Sequence, residues 1–264
     1  MIPNTPLSDE QVKALAPSAF ATQPYFNRSE RYAFVPTSQV ITAMRDNGFQ
    51  PYSAQQSRCR LADKSLFTKH MIRFRSQNDQ LVVVGDTELE VILVNSHDGT
   101  SAYNVSLGMF RLACLNGLIV ADSLVESIHV RHTGDIVNEV MEATRKLSER
   151  APLVLETVNQ WKGITLETAE QKILAEESYA LRYDEKQTVS PEALLHSYRH
   201  EDDDPSLWNT FNRIQEHLIN GGQRYNNNTG RRMRTRSIKG IDQNIKLNRA
   251  LWSLAEKMAA LKTT

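Results

Sequence analysis

Leu81-Val82-Val83-Val84-Gly85-Asp86-Thr87-Glu88-Leu89-Glu90-Val91-Ile92-Leu93-Val94 decides the fold class. Its two apolar runs, Leu81 to Val84 and Leu89 to Val94, flank Gly85-Asp86, which is the pattern of a β-hairpin. The next six residues, Asn95-Ser96-His97-Asp98-Gly99-Thr100, are dense in turn formers, and Asp98-Gly99 supplies the positive φ angles of a tight turn. A further strand is therefore expected from about Ser101 to Leu107. Upstream, the β-branched and aromatic content of Lys69 to Arg75 favours another strand. Downstream, Met109 to Leu115 reads either as a short helix closed by Asn116-Gly117 or as the tail of the preceding strand, turning there into Leu118 to Ala121. Glu126 to His132 reads as one more strand.

Helical signals lie on both sides of this block. Ser8 caps a short helix to Leu15, and Val35-Pro36-Thr37 introduces a helix whose Val40, Ile41 and Met44 share a face before Asn47-Gly48 ends it. Beyond Gly134 the periodicity is helical throughout. Ile136, Val140, Thr144 and Leu147 form one face before Pro152; Thr165 caps a helix through Tyr183; Ser190-Pro191 and Asp204-Pro205 each open another. Leu207, Phe211, Ile214 and Leu218 then recur at helical spacing until Gly221-Gly222. Leu247, Leu251, Leu254, Met258 and Leu261 make a last stripe, suited to docking on the protein's own core or to an oligomer contact. The expected architecture is α+β: an antiparallel sheet with a packed helix in the N-terminal half, followed by a mainly helical C-terminal half. The expected divisions are an arm over residues 1–30, an α+β core over 31–150, and a helical part over 151–264 packed on that core.

The chain has 264 residues, 40% hydrophobic and 23% charged, which suits a folded soluble protein and excludes disorder as the main state. No apolar run approaches the roughly 20 residues that cross a bilayer, and the N-terminus shows no signal-peptide pattern. A cytoplasmic location without membrane contact is expected. Two cysteines, Cys59 and Cys114, are too few for a disulfide framework and read as buried thiols. The 31 basic and 31 acidic residues cancel, but they are segregated. Arg58 to Arg75 holds six Lys/Arg against Asp63 alone, Gly221 to Gly240 holds six and no acid, and Glu176 to Asp204 holds nine acids and three bases. Patches of opposite sign should result.

Few residues suggest covalent chemistry. His97 and Asp98 are adjacent, so in extended backbone they face opposite ways, and a turn built on Asn95, His97, Asp98 and Gly99 explains them better than a catalytic triad. His129 and His132 stand three apart, the wrong spacing for two ligands on one strand face. No glycine-rich phosphate loop occurs, and the acidic run Glu201 to Asp204 reads as a solvated cap ahead of a helix. No catalytic residue, metal or cofactor is expected. The basic residues are more suggestive. Arg58 with Arg60, and Arg73 with Arg75, are pairs at spacing two that would line one strand face with guanidinium groups, with Lys69 beside them and Tyr52, Phe67 and Phe74 interleaved as base-stacking surfaces. Arg224, Arg231, Arg232, Arg234, Arg236 and Lys239 surround Asn226-Asn227-Asn228, a segment expected to be a mobile loop that closes over a bound strand.

Leu93-Val94-Asn95-Ser96-His97-Asp98-Gly99-Thr100-Ser101-Ala102-Tyr103 and Phe110-Arg111-Leu112-Ala113-Cys114-Leu115-Asn116-Gly117-Leu118 resemble the signature of the phage/plasmid-like proteins, a family of unknown function from bacterial mobile elements. The similarity extends from about Tyr32 to a tail that includes Leu247-Asn248-Arg249-Ala250-Leu251-Trp252. It implies a setting in a phage, plasmid or integrative element and carries no activity onto individual residues. The order helix, antiparallel strands, long helix is also similar, in layout only, to single-strand annealing proteins, which would imply rings or filaments. The expected function is thus non-enzymatic binding of single-stranded DNA by a homo-oligomer, with annealing as a further role. The rival is a protein-binding inhibitor of a host defence system, with a host or phage protein as partner of the acidic stretch. A hydrolase centred on His97 and Asp98 ranks third.

Overall fold

The computed structural model describes residues 5–26, 32–77, 83–84, 87–112, 116–183, 189–227 and 229–263. The chain divides into two compact units, Met1–Pro152 and Leu153–Thr264.

The first unit is built on an antiparallel sheet. β1 (Phe49–Gln56), β2 (His70–Ser76), β4 (Thr87–Asn95), β5 (Tyr103–Arg111) and β6 (Asn116–Ile119) lie side by side in that order. β3 (Val83–Val84) pairs with the start of β4, and β7 (Ile128–Val130) pairs with the start of β5. The hairpin expected around Gly85-Asp86 is thus β3 with β4, in register Val84 to Thr87, while Gly85 and Asp86 lie outside the described residues. β5 runs on to Arg111, so Met109 to Arg111 is strand and not helix. β4 is buried on both faces, which is why Leu89 to Val94 is unbroken instead of alternating. β1 carries no comparable apolar signal: it is an edge strand, which tolerates Pro51.

Helices complete this unit. α1 (Asp9–Leu15) is closed by a capping box between Ser8 and Gln11. α2 (Thr37–Asp46) buries Val40, Ile41 and Met44 and ends before Gly48, whose φ of +81° only glycine adopts freely. α3 (Ile136–Glu149) is capped by Asp135, buries Ile136, Val140, Ala143, Thr144 and Leu147, and packs on β4, β5, β7 and α2.

The second unit is helical with one ribbon. α4 (Ala151–Gly163) takes Pro152 into its first turn, where the missing N–H costs nothing, so that proline starts a helix as well as following one. α5 (Thr168–Ala180) is capped by Glu167 with Glu170; Thr165, the expected cap, instead bridges to Ser206. After Ser190-Pro191 the chain forms a 3-10 turn, Pro191–Leu195, and no α-helix. α6 (Leu207–Asn220) is capped by Ser206, with Asp204 bonding the Ser206 amide. β8 (Arg224–Asn226) and β9 (Arg232–Arg234) form an antiparallel pair, and α7 (Ile241–Thr263) follows. Trp161 is the centre of the core, with ring centroids 4.6 Å from Trp252 and 5.6 Å from Phe211. The α7 stripe supplies Leu247, Leu251 and Met258 to the buried set, with Trp252, while Leu261 is exposed. No helix among the described residues is long and apolar enough to cross a membrane.

Candidate nucleic-acid interface

The strand arginines do not face solvent. In β2, Arg73 and Arg75 project to one face, as their spacing requires, but Glu88 and Glu90 of β4 project to the same face. Arg73 Nη1 lies 2.8 Å from Glu90 Oε2 and donates to the Leu118 carbonyl; Arg75 Nε lies 3.1 Å from Glu90 Oε1, and its Nη1 lies 2.5 Å from Glu88 Oε2. Both guanidinium groups are buried, and Arg75 is stacked between Phe110, at 4.1 Å, and Tyr52, at 4.4 Å. Phosphate contact by Arg73 and Arg75 is thereby corrected to an internal ion-pair network. The base-stacking assignments fail for the same reason of packing. Phe74 is fully buried, Tyr52 is engaged by Arg75, and Phe67 is half-buried against Tyr25.

Arg58 and Arg60 are exposed, but in the connection after β1 and not on a strand, so they form no guanidinium row. Lys69, just before β2, is half-buried. Cys59 is a free, half-buried thiol; Cys114 lies outside the described residues.

The turn residues sit above a buried polar cluster. Asp98 Oδ1 accepts from the Thr100 amide at 3.0 Å, its other oxygen pairs with Lys64, and Gly99 has a φ of +75°. These contacts and the nearby hydroxyls hold the Asp98 carboxyl below its usual range despite its partial burial. His97 points elsewhere, to the hydroxyl of Thr37 in the first turn of α2, at 3.1 Å. His70 Nε2 and Asn95 Nδ2 converge on the same oxygen at 2.9 and 3.1 Å. His70 and Asn95 are a cross-strand pair at one end of β2 and β4. Burial pushes the His70 imidazole down to about 4 and that of His97 down to about 3, so both are neutral near pH 7. The Thr37 hydroxyl is thus the hub of the cluster: it also lies 3.2 Å from the Tyr103 hydroxyl, while His70 Nδ1 lies 2.9 Å from the Ser18 hydroxyl and 3.3 Å from the Thr68 carbonyl. All of these side chains are sealed from solvent, and the His97 and Asp98 side chains have separate partners. Hydrolytic chemistry gains no support here. His129 pairs with Asn104 and His132 stacks on Tyr32, and no cluster of three metal-ligating side chains occurs among the described residues.

The second basic cluster is arranged differently. The segment expected to be a mobile loop holds the β8–β9 ribbon, in register Arg224 to Arg234, Tyr225 to Met233 and Asn226 to Arg232. Asn227 organises its turn, accepting from the amides of Thr229 and Arg231; Asn228 lies outside the described residues. Alternation puts Arg224, Arg232 and Arg234 on one exposed face and turns Tyr225 and Met233, half-buried, to the other. The ribbon borders an open concavity of about 800 Å³ lined by those arginines with Tyr225, Asn226 and Met233. Arg231, Arg236 and Lys239 flank it and are exposed. None of the five arginines forms an ion pair among the described residues. Like charges directly opposed on a ribbon cost about 0.2–1 kcal/mol each, so this face is uncompensated within the unit. Sequence reasoning missed the ribbon because Asn-rich turn signals outweighed its two three-residue strands; the alternation Arg232, Met233, Arg234 was its one visible trace.

In the acidic stretch Glu176, Glu177 and Glu201 are exposed, while its last three residues make contacts within the chain. Asp202 is buried against Arg199, which also pairs with Glu216; Asp203 meets His200, and Asp204 bonds the Ser206 amide.

Two Escherichia coli (strain K12) proteins, UPF0380 protein YfjQ and UPF0380 protein YafZ, are each 38% identical to the chain over 254 residues, covering 96% of it and 92% of the relative. No solved structure matches. A family described as Domain of unknown function (DUF932) matches residues 25–252, and with that span and those relatives the chain belongs to the DUF932 family.

Proposed function

We propose that the protein binds nucleic acid without chemical turnover, in the setting of a phage or plasmid, and that the β8–β9 ribbon is its contact surface. The observation that carries this reading is the face formed by Arg224, Arg232 and Arg234, exposed, with Arg224 directly opposite Arg234, and without a carboxylate partner among the described residues. A protein keeps such a face at a cost in stability, and a polyanion removes that cost. Guanidinium groups match phosphate oxygens in pairs of hydrogen bonds, and no covalent step or cofactor enters. Arg58 and Arg60, exposed in the first unit, are secondary contacts. Annealing of single strands remains part of this proposal, with homo-oligomer assembly as the form it would take. The inhibitor reading stays as the rival: within Glu176 to Asp204 only Asp202 is buried on an arginine, while Glu176, Glu177 and Glu201 are exposed.

The test is a salt titration with a fluorescent single strand and its duplex. The logarithm of the binding constant should fall linearly with the logarithm of salt, by roughly 0.7 per phosphate contacted for the single strand and 0.9 for the duplex. Absence of binding to either probe at low salt would overturn the proposal.

A further inference from the structure

Behind the ribbon lies a second concavity, of about 520 Å³, whose lining includes Arg182, Tyr183, Tyr225, Arg234, Arg236 and Gln243. Its walls come from the chain just after α5, from both ribbon strands and from the first turn of α7, all in the second unit. No carboxylate lines it among the described residues. Two donors in it have, among the described residues, no partner beyond each other. Tyr183 is only 7% exposed, and its hydroxyl and the Nη1 of Arg182 beside it are both buried. The Arg182 guanidinium lies over the Tyr183 ring, 5.0 Å from its centroid, while its Nη2 donates to the Arg236 carbonyl. The arginine is thereby held in one orientation, between Tyr183 and the Arg236 carbonyl. A buried donor without an acceptor costs about 1–3 kcal/mol, and an anion with several acceptor oxygens would satisfy both donors at once. The 23-residue helix α7 begins at this wall, and its N-terminal amides favour negative charge there. Tyr225 and Met233 add an apolar surface to which a ring can stack.

We infer that this concavity is a site for one nucleotide unit, its phosphate on Arg182 Nη1, the Tyr183 hydroxyl, Arg234 and Arg236, and its base against Tyr225 and Met233. The inference rests on the nucleic-acid reading and deepens it. A strand that runs along the arginine face of the ribbon can turn one nucleotide into the space behind, which a base held in a duplex cannot do without leaving its stack. The site therefore selects single strands. Arg234 belongs to both surfaces and ties them together.

Binding is measured for the full chain with three probes: a fluorescent single strand, its duplex, and deoxyadenosine monophosphate. Arg182→Ala should weaken the single strand about tenfold or more and leave the duplex nearly unchanged. Tyr225→Ala, a half-exposed position whose loss leaves the core intact, should act in the same direction, with folding checked by circular dichroism. If both variants bind the single strand as the parent does while Arg224→Ala with Arg232→Ala weakens it, the nucleotide site is wrong and the ribbon reading stands. Binding of deoxyadenosine monophosphate alone, lost in Arg182→Ala, keeps the site, assigns it to free nucleotides and overturns the ribbon reading. If no probe binds, both fall.

Discussion

At Arg73 the side chain has a carboxylate on one side and a glycine on the other. Its guanidinium lies 2.8 Å from Glu90 and against Gly117, where a Cβ would come within 2.6 Å of its central carbon. Without Arg73, Glu90 keeps Arg75 but loses one of its two cations, and the Leu118 carbonyl loses its donor, which costs about 1–3 kcal/mol. Arg73→Ala should thus lower the urea midpoint by that equivalent and leave the nucleic-acid affinity of the folded protein unchanged. A variant of full stability and reduced affinity would return Arg73 to the binding surface. The spacing of Arg73 and Arg75 was legible, and so was their common strand face. What was not legible is that Glu88 and Glu90 carry the same spacing on the neighbouring strand. Two alternating pairs of opposite sign in adjacent strands form ion pairs when their faces coincide, and only the register of β2 against β4 decides that.

Among the elements, the central strands were the most readable, because their apolar runs and turn dipeptides are local signals. β5 also contains Gly108, which has a packing reason: a Cβ there would sit 2.4 Å from Ile92 Cδ1 and 2.6 Å from the Leu118 carbonyl. The carbonyl belongs to the β6 backbone and cannot swing aside, so Gly108→Ala should force β5 and β6 apart and cost about 1–3 kcal/mol. Calorimetry showing an unchanged melting temperature would disprove that tightness. The ribbon poses the opposite case. Arg224 directly opposes Arg234, so Arg224→Ala should leave stability unchanged or raise it by about 0.2–1 kcal/mol while weakening binding and reducing the salt slope by roughly one contact. A loss of stability together with unchanged affinity would make the arginine a structural residue. The ribbon was illegible because its strands are short and polar on one face, so they lack the apolar alternation that marks a strand. The buried Thr37 cluster was hidden for another reason. Residues Ser18, Thr37, His70, Asn95, His97 and Tyr103 meet only after five elements pack, the 3-10 turn Pro17–Phe20, α2, β2, β4 and β5, and no spacing in the sequence joins them.

For the whole molecule the formal charge is zero and the isoelectric point about 7.1, so affinity for a polyanion must come from segregated charge and not from the net field. The same histidines that seal the first unit set its response to acid. His70 and His97 are held neutral in the folded chain, with folded values of about 4 and about 3 against an unfolded value of 6.5. Burial pushes His132 of the first unit and His217 of the second down as well. Above pH 6.5 neither state binds these protons, and the contribution is fully present. As the pH falls below 6.5 the unfolded chain takes up protons that the folded chain refuses, so stability is lost until the folded values are reached. Where only the unfolded chain titrates, His70 and His97 together contribute a slope of at most about 3 kcal/mol per pH unit, and His132 and His217 add in the same direction. Urea denaturation across that interval should therefore show stability falling steeply as the pH is lowered. His97→Gln, which cannot titrate, should start from a lower stability, because it disturbs a fully buried hydrogen bond, but should show a shallower slope. Parallel curves for the two proteins would mean that the imidazoles do not refuse the proton, and that the Thr37 cluster accommodates a charge.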